Sequence, residues 1–564
     1  MLAAMPPTSP TPANRDEAHP RDGGTASARD PLRDPPPGPA GGPLADPVRG
    51  PLPGPLGDPL RGSLRGPVTG VALGPAGPVR EGGDACPGAL RLHTADDGRL
   101  ARLRLPAGLL TYRQTEALAS AAERLGDGHL DITSRGNVQL RGLGAACGDE
   151  LAALLRQAGL LPSERHERVR NIVASPLSGL DGHGELPAER LQLWARELDG
   201  LLCASEPATA LSGRFLFALD DGRGDVVALG ADVTLLARRD GTAMVRTGAN
   251  RAGLLVPAAD APRAALLAAE TFLTVAEAGG SGAWRVRELP PGHGLDEAVA
   301  ARLADAGIAA EYAAGVPVAP VTPAAGAEPP APGLIRSPDG TVALSVYAPL
   351  GRLSAAQWRL LTTAGGEAAG GELRVTPWRG VIVPGLEPAA ADDLLDRLRT
   401  AGLITDRHSP WYGVGACTGR PGCAKALADV RADAAGALRP APTADHGGAL
   451  PVYWSGCARR CGHPQGAHVD VVATAGAGYV VSVRDIVPAD TASTADAVAT
   501  AGAAHAAGAA GAVGAAGAVG AAGAVGAAGA VGTAMDTAPQ SATTATGPEL
   551  AGAVAAARRP PVTR

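Results

Sequence analysis

The chain has 564 residues, with 50 Lys plus Arg against 56 Asp plus Glu and a formal net charge of −6. That balance argues against a nucleic-acid partner, which calls for clustered positive charge. Lys425 is the only lysine, so any anion site must be built from guanidinium groups, which grip carboxylates through two parallel hydrogen bonds.

Residues 1–82 are dense in Pro, Gly, Asp and Arg and offer too little apolar area to offset ordering entropy, so a disordered N-terminal extension is expected. The opening Met1-Leu-Ala-Ala-Met-Pro-Pro-Thr has neither a charged n-region nor an apolar h-region, and a cytoplasmic location is expected. In 83–160, Leu100–Leu105 alternates as a strand, Leu118, Ala121, Ala122 and Leu125 share a helix face, and Leu130–Thr133 and Val138–Leu140 read as a strand pair around a Gly-Asn turn. An α/β region over 161–316 and a Pro/Ala-rich linker over 317–331 follow. Residues 332–403 repeat the first unit: an Asp-Gly turn stands 36 residues before Thr133 and 37 before Thr376, as duplication requires. Two such β-α-β half-units can pair around a pseudo-twofold axis into one sheet. Residues 404–490 form a last α/β region. Residues 491–564, with Gly-Ala-Ala-Gly-Ala-Val four times from Gly508 to Val531, read as a low-complexity tail, too weakly apolar to span a membrane.

Four of the seven cysteines fall in two pairs, Cys417-x5-Cys423 and Cys457-x3-Cys461. Four thiolates suit an iron–sulfur cluster or structural zinc; disulfides belong more to small secreted domains. Gly415, Gly419, Gly422, Gly456 and Gly462 crowd the thiols and let backbone N–H groups approach a ligand closely. Cys86, Cys147 and Cys203 are dispersed and read as small buried hydrophobes. No G-x-G-x-x-G opens a helix after a strand in the core, so electrons are expected from outside.

The order of these regions, the quartet, Arg104-Leu-Pro-Ala-Gly108, Thr133-Ser-Arg-Gly-Asn-Val-Gln139 and Arg170-Asn171 resemble the nitrite/sulfite reductase (hemoprotein β-component, ferredoxin-like) superfamily over about residues 83–490. The resemblance implies an α+β protein. Two ferredoxin-like half-domains, 83–160 and 332–403, pair around a pseudo-twofold. They alternate with an α/β domain without a cluster, 161–316, and one that carries a [4Fe-4S] cluster, 404–490. The implied ligands are Cys417, Cys423, Cys457 and Cys461, with Cys461 facing a tetrapyrrole. The implied substrate pocket holds Arg104, Arg135, Asn137, Gln139, Arg141, Arg170 and Arg214, and Arg459 and Arg460 are further groups able to grip carboxylates.

One departure bears on the substrate. Where reductases of this superfamily carry R-K-F-K, whose lysines help hold a small oxyanion, this chain has Gly213-Arg-Phe-Leu216. Asp84-Ala-Cys-Pro-Gly-Ala-Leu90, Phe215-Leu-Phe-Ala-Leu-Asp-Asp-Gly222 and Trp454-Ser-Gly-Cys-Ala-Arg-Arg-Cys-Gly-His-Pro464 resemble the oxygen-dependent branch that acts in aerobic cobalamin biosynthesis. That branch implies a monooxygenase that turns precorrin-3A and O2 into precorrin-3B, with C20 hydroxylation and a γ-lactone. It also implies an external donor, an NADH-linked reductase or a ferredoxin, a monomer, and a possible further mononuclear iron or siroheme-like centre, for which His463 and His468 are the nearest residues. The alternatives are a siroheme-dependent assimilatory sulfite or nitrite reductase and a non-catalytic, metal-stabilised tetrapyrrole-binding protein.

Overall fold

The Pro106-Ala107-Gly108 turn decides how the first half-unit meets the second. Ala107 stands at φ 55°, ψ 15°, and Gly108 at φ 69°; a Cβ on Gly108 would lie 1.9 Å from the Val375 carbonyl oxygen, so only glycine permits this approach. The computed structural model describes residues 84, 86–186, 188–250, 252–313, 328–363, 372–438, 449–464, 466–476, 478–484 and 542–559. The expected N-terminal extension and most of the expected 317–331 linker lie outside the described residues.

The first half-unit comprises β1 (His93–Ala95), β2 (Gly98–Leu103), β3 (Leu109–Thr111), α1 (Tyr112–Leu125), β4 (His129–Ile132), β5 (Val138–Leu143) and α2 (Gly148–Gln157). The first α/β region has β6 (Ile172–Ala174), α3 (Ala188–Ala204), β7 (Phe217–Asp220), β8 (Val233–Ala237), β9 (Thr242–Thr247), β10 (Leu254–Pro257), α4 (Ala261–Ala278), α5 (Leu295–Asp305) and β11 (Glu311–Tyr312). The second half-unit has β12 (Gly333–Arg336), β13 (Val342–Tyr347), β14 (Arg352–Ser354), α6 (Ala355–Leu360), β15 (Glu372–Val375), β16 (Gly380–Leu386) and α7 (Pro388–Thr400). The last region has β17 (Val414–Ala416), α8 (Val430–Ala437), β18 (Val452–Ser455), β19 (His468–Ala473), β20 (Tyr479–Arg484), β21 (Ala542–Ala545) and α9 (Gly547–Ala557).

The half-units form two sheets rather than the single sheet expected, and each lends the other an edge strand. The orders are β1-β2-β5-β4-β14 and β12-β13-β16-β15-β3. The Ala107 turn throws β3 onto β15, and Leu350 (φ 56°, ψ 15°) throws β14 onto β4. Both turns lead into a capping box, Thr111 with Gln114 and Ser354 with Gln357, which satisfies first-turn N–H groups. One apolar core runs through both half-units, with Leu118, Leu130 and Leu140 packed alongside Leu344, Trp358 and Leu373.

The duplication extends further than the sequence repeat. In the first α/β sheet β6-β7-β8 are parallel and β9 and β10 return antiparallel. In the last sheet β17-β18-β19 are parallel and β20 and β21 return antiparallel. By this match β21 and α9 are the twins of β10 and α4. They correct the reading of 491–564 as one featureless tail. Ala542-Thr-Thr-Ala545 pairs with β20 from Tyr479↔Ala545 to Ser482↔Ala542, Leu550 and Val554 enter the core, and Arg558 donates to the Leu450 and Tyr412 carbonyls. Composition missed this because a waiting sheet edge supplies the hydrogen bonds, and an i, i+4 apolar pair is enough to seat a short helix.

Candidate functional site

The cysteines sit where ligands gather in open α/β sheets, beyond the carboxyl ends of parallel strands. Cys417 follows β17, and Gly456 and Cys457 follow β18. The Cys417 N–H donates to the Trp454 carbonyl at 2.9 Å, and the Gly456 N–H donates to Cys417 Sγ at 3.1 Å. The loops press on one another without room for side chains: a Cβ on Gly419 would come within 2.8 Å of Val430, and one on Gly456 within 2.8 Å of Ala426. Burial pushes the Cys461 thiol up, Arg459 pulls it down, and Cys457, Cys417 and Cys423 push it up again, so the other three sulfurs lie within electrostatic reach of Cys461. Among the described residues no three His, Cys, Asp or Glu side chains stand ready-made around a single ion. An all-thiol donor set on glycine-lined loops, with one sulfur already accepting a backbone N–H, fits a cluster.

His463 and His468 stack with centroids 5.8 Å apart. Their Nδ1 atoms lie 3.0 Å from the Pro464 carbonyl and 2.7 Å from the Gly466 carbonyl, which ties both rings to their own turn.

A cluster of arginines on and around the first half-unit stands beside this region. Arg102, on β2, feels the Cys461 thiol. Arg104 is held by the Arg168 and Gly213 carbonyls at 3.0 and 3.3 Å; burial first, then Arg102 and Arg135, lowers its pKa to about 9. Burial and Arg285 bring Arg135 down to about 10, and its guanidinium has no ion-pair partner among the described residues. Arg285 pairs with Asp232 at 2.5 Å. Arg214 lies 5.0 Å over the Trp284 ring. Guanidiniums that depress one another in this way want anions.

Other expected site residues have protein partners of their own. Arg170 forms two 2.7 Å bonds to Asp199. Arg141 grips Asp97 at 2.7 and 2.8 Å and the Gly422 carbonyl at 2.6 Å, tying β5 to the first cysteine loop. Asn137 bonds Asn171 at 2.8 Å and accepts the Leu105 N–H at 2.9 Å. Gln139 accepts from Arg102 at 3.1 Å. Arg460 pairs with Asp470 at 2.7 Å, and Arg459 is exposed. Leu216 is buried in an apolar cluster with Val173, Ala218 and Val226. The sequence reading left Arg102 and Arg285 out of the cluster; alternation along β2 put Arg102 on the face of Arg104, but nothing local pointed to Arg285. A cavity of about 270 Å³ between β3, α1 and α3 has two of its arginines matched, Arg170 with Asp199 and Arg196 with Glu372, and is also lined by Arg104.

The twin of this site is filled. Ser175 replaces Cys417: its N–H donates to the Leu219 carbonyl, and its Oγ accepts the Asp221 N–H at 3.3 Å, as Cys417 Sγ accepts that of Gly456. Around it stand Asp225, 2.5 Å from Ser175 Oγ, and Arg223, bonded to Asp221 and Asp181. The twin of Arg135 is Trp378, packed against the apolar cluster that holds Val226, the twin of Cys461. One half of the molecule sets a cluster of arginines beside thiols, and the other fills the same place with tryptophan and buried carboxylates.

The nitrite/sulfite reductase ferredoxin-like half domain matches twice, at residues 93–158 and 335–401. Both half-units thus carry the half domain of nitrite and sulfite reductases. It is similar to a precorrin-3B synthase of Sinorhizobium sp, 28% identical over 408 residues, 71% of this chain and 82% of that protein. It is also similar to a ferredoxin–nitrite reductase of Synechococcus elongatus, 28% identical over 66% of this chain and 76% of that protein. Among solved structures the Mycobacterium tuberculosis NirA protein has the same fold, with a TM-score of 0.52 and 17% identity over 69% of this chain and 74% of its own. No helix among the described residues is long and apolar enough to cross a membrane.

Proposed function

We propose that the chain is a precorrin-3B synthase: it oxidises precorrin-3A with O2, placing one oxygen atom at C20 with γ-lactone formation, while the other leaves as water with two electrons from an external donor. The observation that carries this reading is the cluster of arginines around Arg135, of which Arg102 lies within electrostatic reach of the Cys461 thiol, where the twin has Trp378 packed on an apolar cluster. A precorrin is fringed with carboxylates. Arg135 and Arg102 offer charge to them at a place where Arg104 and Arg214 are already positioned, and each charge-assisted contact contributes about 1.5–3 kcal/mol. Cys417, Cys423, Cys457 and Cys461 would hold a [4Fe-4S] cluster, which would supply electrons one at a time. Arg141 keeps the first cysteine loop against the half-unit that binds the macrocycle. Leu216, buried among apolar side chains, provides no second cation for a small oxyanion, which favours macrocycle oxidation over oxyanion reduction.

The similarity to ferredoxin–nitrite reductase supports a second reading, siroheme-dependent reduction of nitrite or sulfite. It also supports a ferredoxin as the donor in either case. Anaerobically purified protein incubated with precorrin-3A, a reductant and 18O-labelled O2 separates the two. Labelled precorrin-3B is expected; unlabelled product together with siroheme absorbance and nitrite or sulfite turnover overturns the proposal.

A further inference from the structure

Arg379 is a non-glycine residue at φ 64°. Its twin in the first half-unit is Gly136, at φ 65°. An arginine held in the left-handed region is strained, so its side chain is expected to give something back. Its guanidinium donates to the Gly462 carbonyl at 2.6 Å and lies 5.2 Å over the Tyr453 ring. The buried Tyr453 hydroxyl donates to the Cys461 carbonyl at 2.7 Å. Two neighbouring carbonyls, those of Cys461 and Gly462, are therefore held by one stacked pair that comes from two different regions, the β15–β16 turn and β18. Glycines clear the space: a Cβ on Gly415 would come within 2.8 Å of the Tyr453 ring, and one on Gly462 within 2.9 Å of its hydroxyl. Gly351, in the turn that throws β14 across, also lies against Arg379, where a Cβ would meet its Cδ at 2.5 Å. The first half-unit needs only a glycine at this corner, because the β7–β8 loop of its α/β partner carries no thiol to place.

We infer that Arg379 and Tyr453 are positioning residues for the fourth cluster ligand: they fix the backbone of Cys461–Gly462, and thereby the direction of the Cys461 thiolate toward the arginine cluster. The inference rests on the cluster reading above. It places the aim of the exposed thiolate under the control of the second half-unit, opposite the half-unit that supplies the arginine cluster.

The test compares the full-length wild type with Arg379→Ala, Arg379→Gly, Arg379→Lys and Tyr453→Phe, all purified anaerobically. The readouts are iron and acid-labile sulfide per chain, the electron paramagnetic resonance spectrum after dithionite reduction, and the rate of bleaching by a chelator. Wild type is expected to carry one cluster. Arg379→Ala and Arg379→Gly are expected to bleach about 10–100-fold faster, the usual range for lost outer-shell support, with altered spectra. Arg379→Gly distinguishes positioning from strain relief, because it frees the backbone at residue 379 yet still loses the contact. Arg379→Lys is expected to restore part of the resistance, and Tyr453→Phe to shift the spectrum in the same sense as Arg379→Ala. Wild-type spectra and bleaching rates in both Arg379→Gly and Tyr453→Phe overturn the inference while leaving the cluster in place. Absence of iron and sulfide from the wild type overturns the cluster reading and the inference together.

Discussion

Ser175 and Cys417 hold equivalent posts, each at the end of the first parallel strand of its sheet and each accepting the N–H that opens the loop after the next strand, from Asp221 at 3.3 Å and Gly456 at 3.1 Å. One fold has thus been given two fillings. Where sulfur stands, glycines let the loops pack closely; where oxygen stands, side-chain carboxylates and a guanidinium occupy the interior.

The quartet should behave as one unit. Cys461→Ser is expected to lose the cluster and activity, with iron per chain falling toward zero, because a cubane needs four thiolates. Cys147→Ser is expected to do neither, since Cys147 packs against the shared half-unit core. Iron and sulfide analysis decides: full iron content in Cys461→Ser refutes the ligand assignment.

The filled twin should give the protein a pH signature. Burial raises Asp220 to about 6 and Asp225 well above the usual carboxylate range, where Asp220 also pushes it up. A carboxyl raised in the folded state takes up a proton on folding. Its contribution is full below the unfolded pKa, near 4, and is lost as the pH climbs through the folded value. Asp220 alone is worth on the order of 3 kcal/mol across that window. Asp225→Asn keeps an acceptor for Ser175 Oγ and removes the charge, so unfolding midpoints for this variant should fall less than those of wild type between pH 4 and 8. Parallel midpoint curves for the two proteins would contradict the buried-carboxylate account.

How much of this was readable from the residues differs from part to part. Thr133 and Thr376, with their Asp-Gly turns, exposed the half-unit repeat because strand turns leave compositional marks. The exchange of β3 and β14 was not readable, since it hangs on positive φ at Ala107 and Leu350, residues with no such preference. The quartet spacing marked the thiols. The division of the arginines into free and taken was invisible, because Arg141 meets Asp97 and Arg170 meets Asp199 only through the fold. The α/β twins share no motif: Ser175 and Cys417 match by hydrogen bond and strand position alone.

That division of labour separates affinity from stability. Arg135→Gln is expected to weaken precorrin binding by roughly 1.5–3 kcal/mol, about ten- to a hundred-fold in Kd, with the unfolding midpoint nearly unchanged. Arg170→Ala leaves Asp199 without its buried partner and is expected to cost about 3–5 kcal/mol of stability. Titration with the tetrapyrrole and thermal unfolding, run on both variants, check the split; a Kd change in Arg170→Ala with no loss of stability reverses the assignment.

The C-terminal strand and helix should be required, and the repeats before them dispensable. A chain ending at residue 541 uncovers the β20 edge from Tyr479 to Ser482, a row of unpaired backbone groups of the kind that recruits other strands. It also exposes the surface that Leu550 and Val554 cover, at about 1.5–3 kcal/mol for each buried side chain. Such a chain is expected to melt earlier, aggregate and retain less iron. Deleting Gly508–Val531 instead keeps the strand and the helix, and is expected to leave all three readouts near wild type. The equivalent β9–β10 link needs only residues 248–253, so reach is not at issue. Light scattering, melting midpoints and iron per chain on the two deletions test the claim. If the chain ending at 541 matches wild type in all three, β21 and α9 are not part of the domain's working structure.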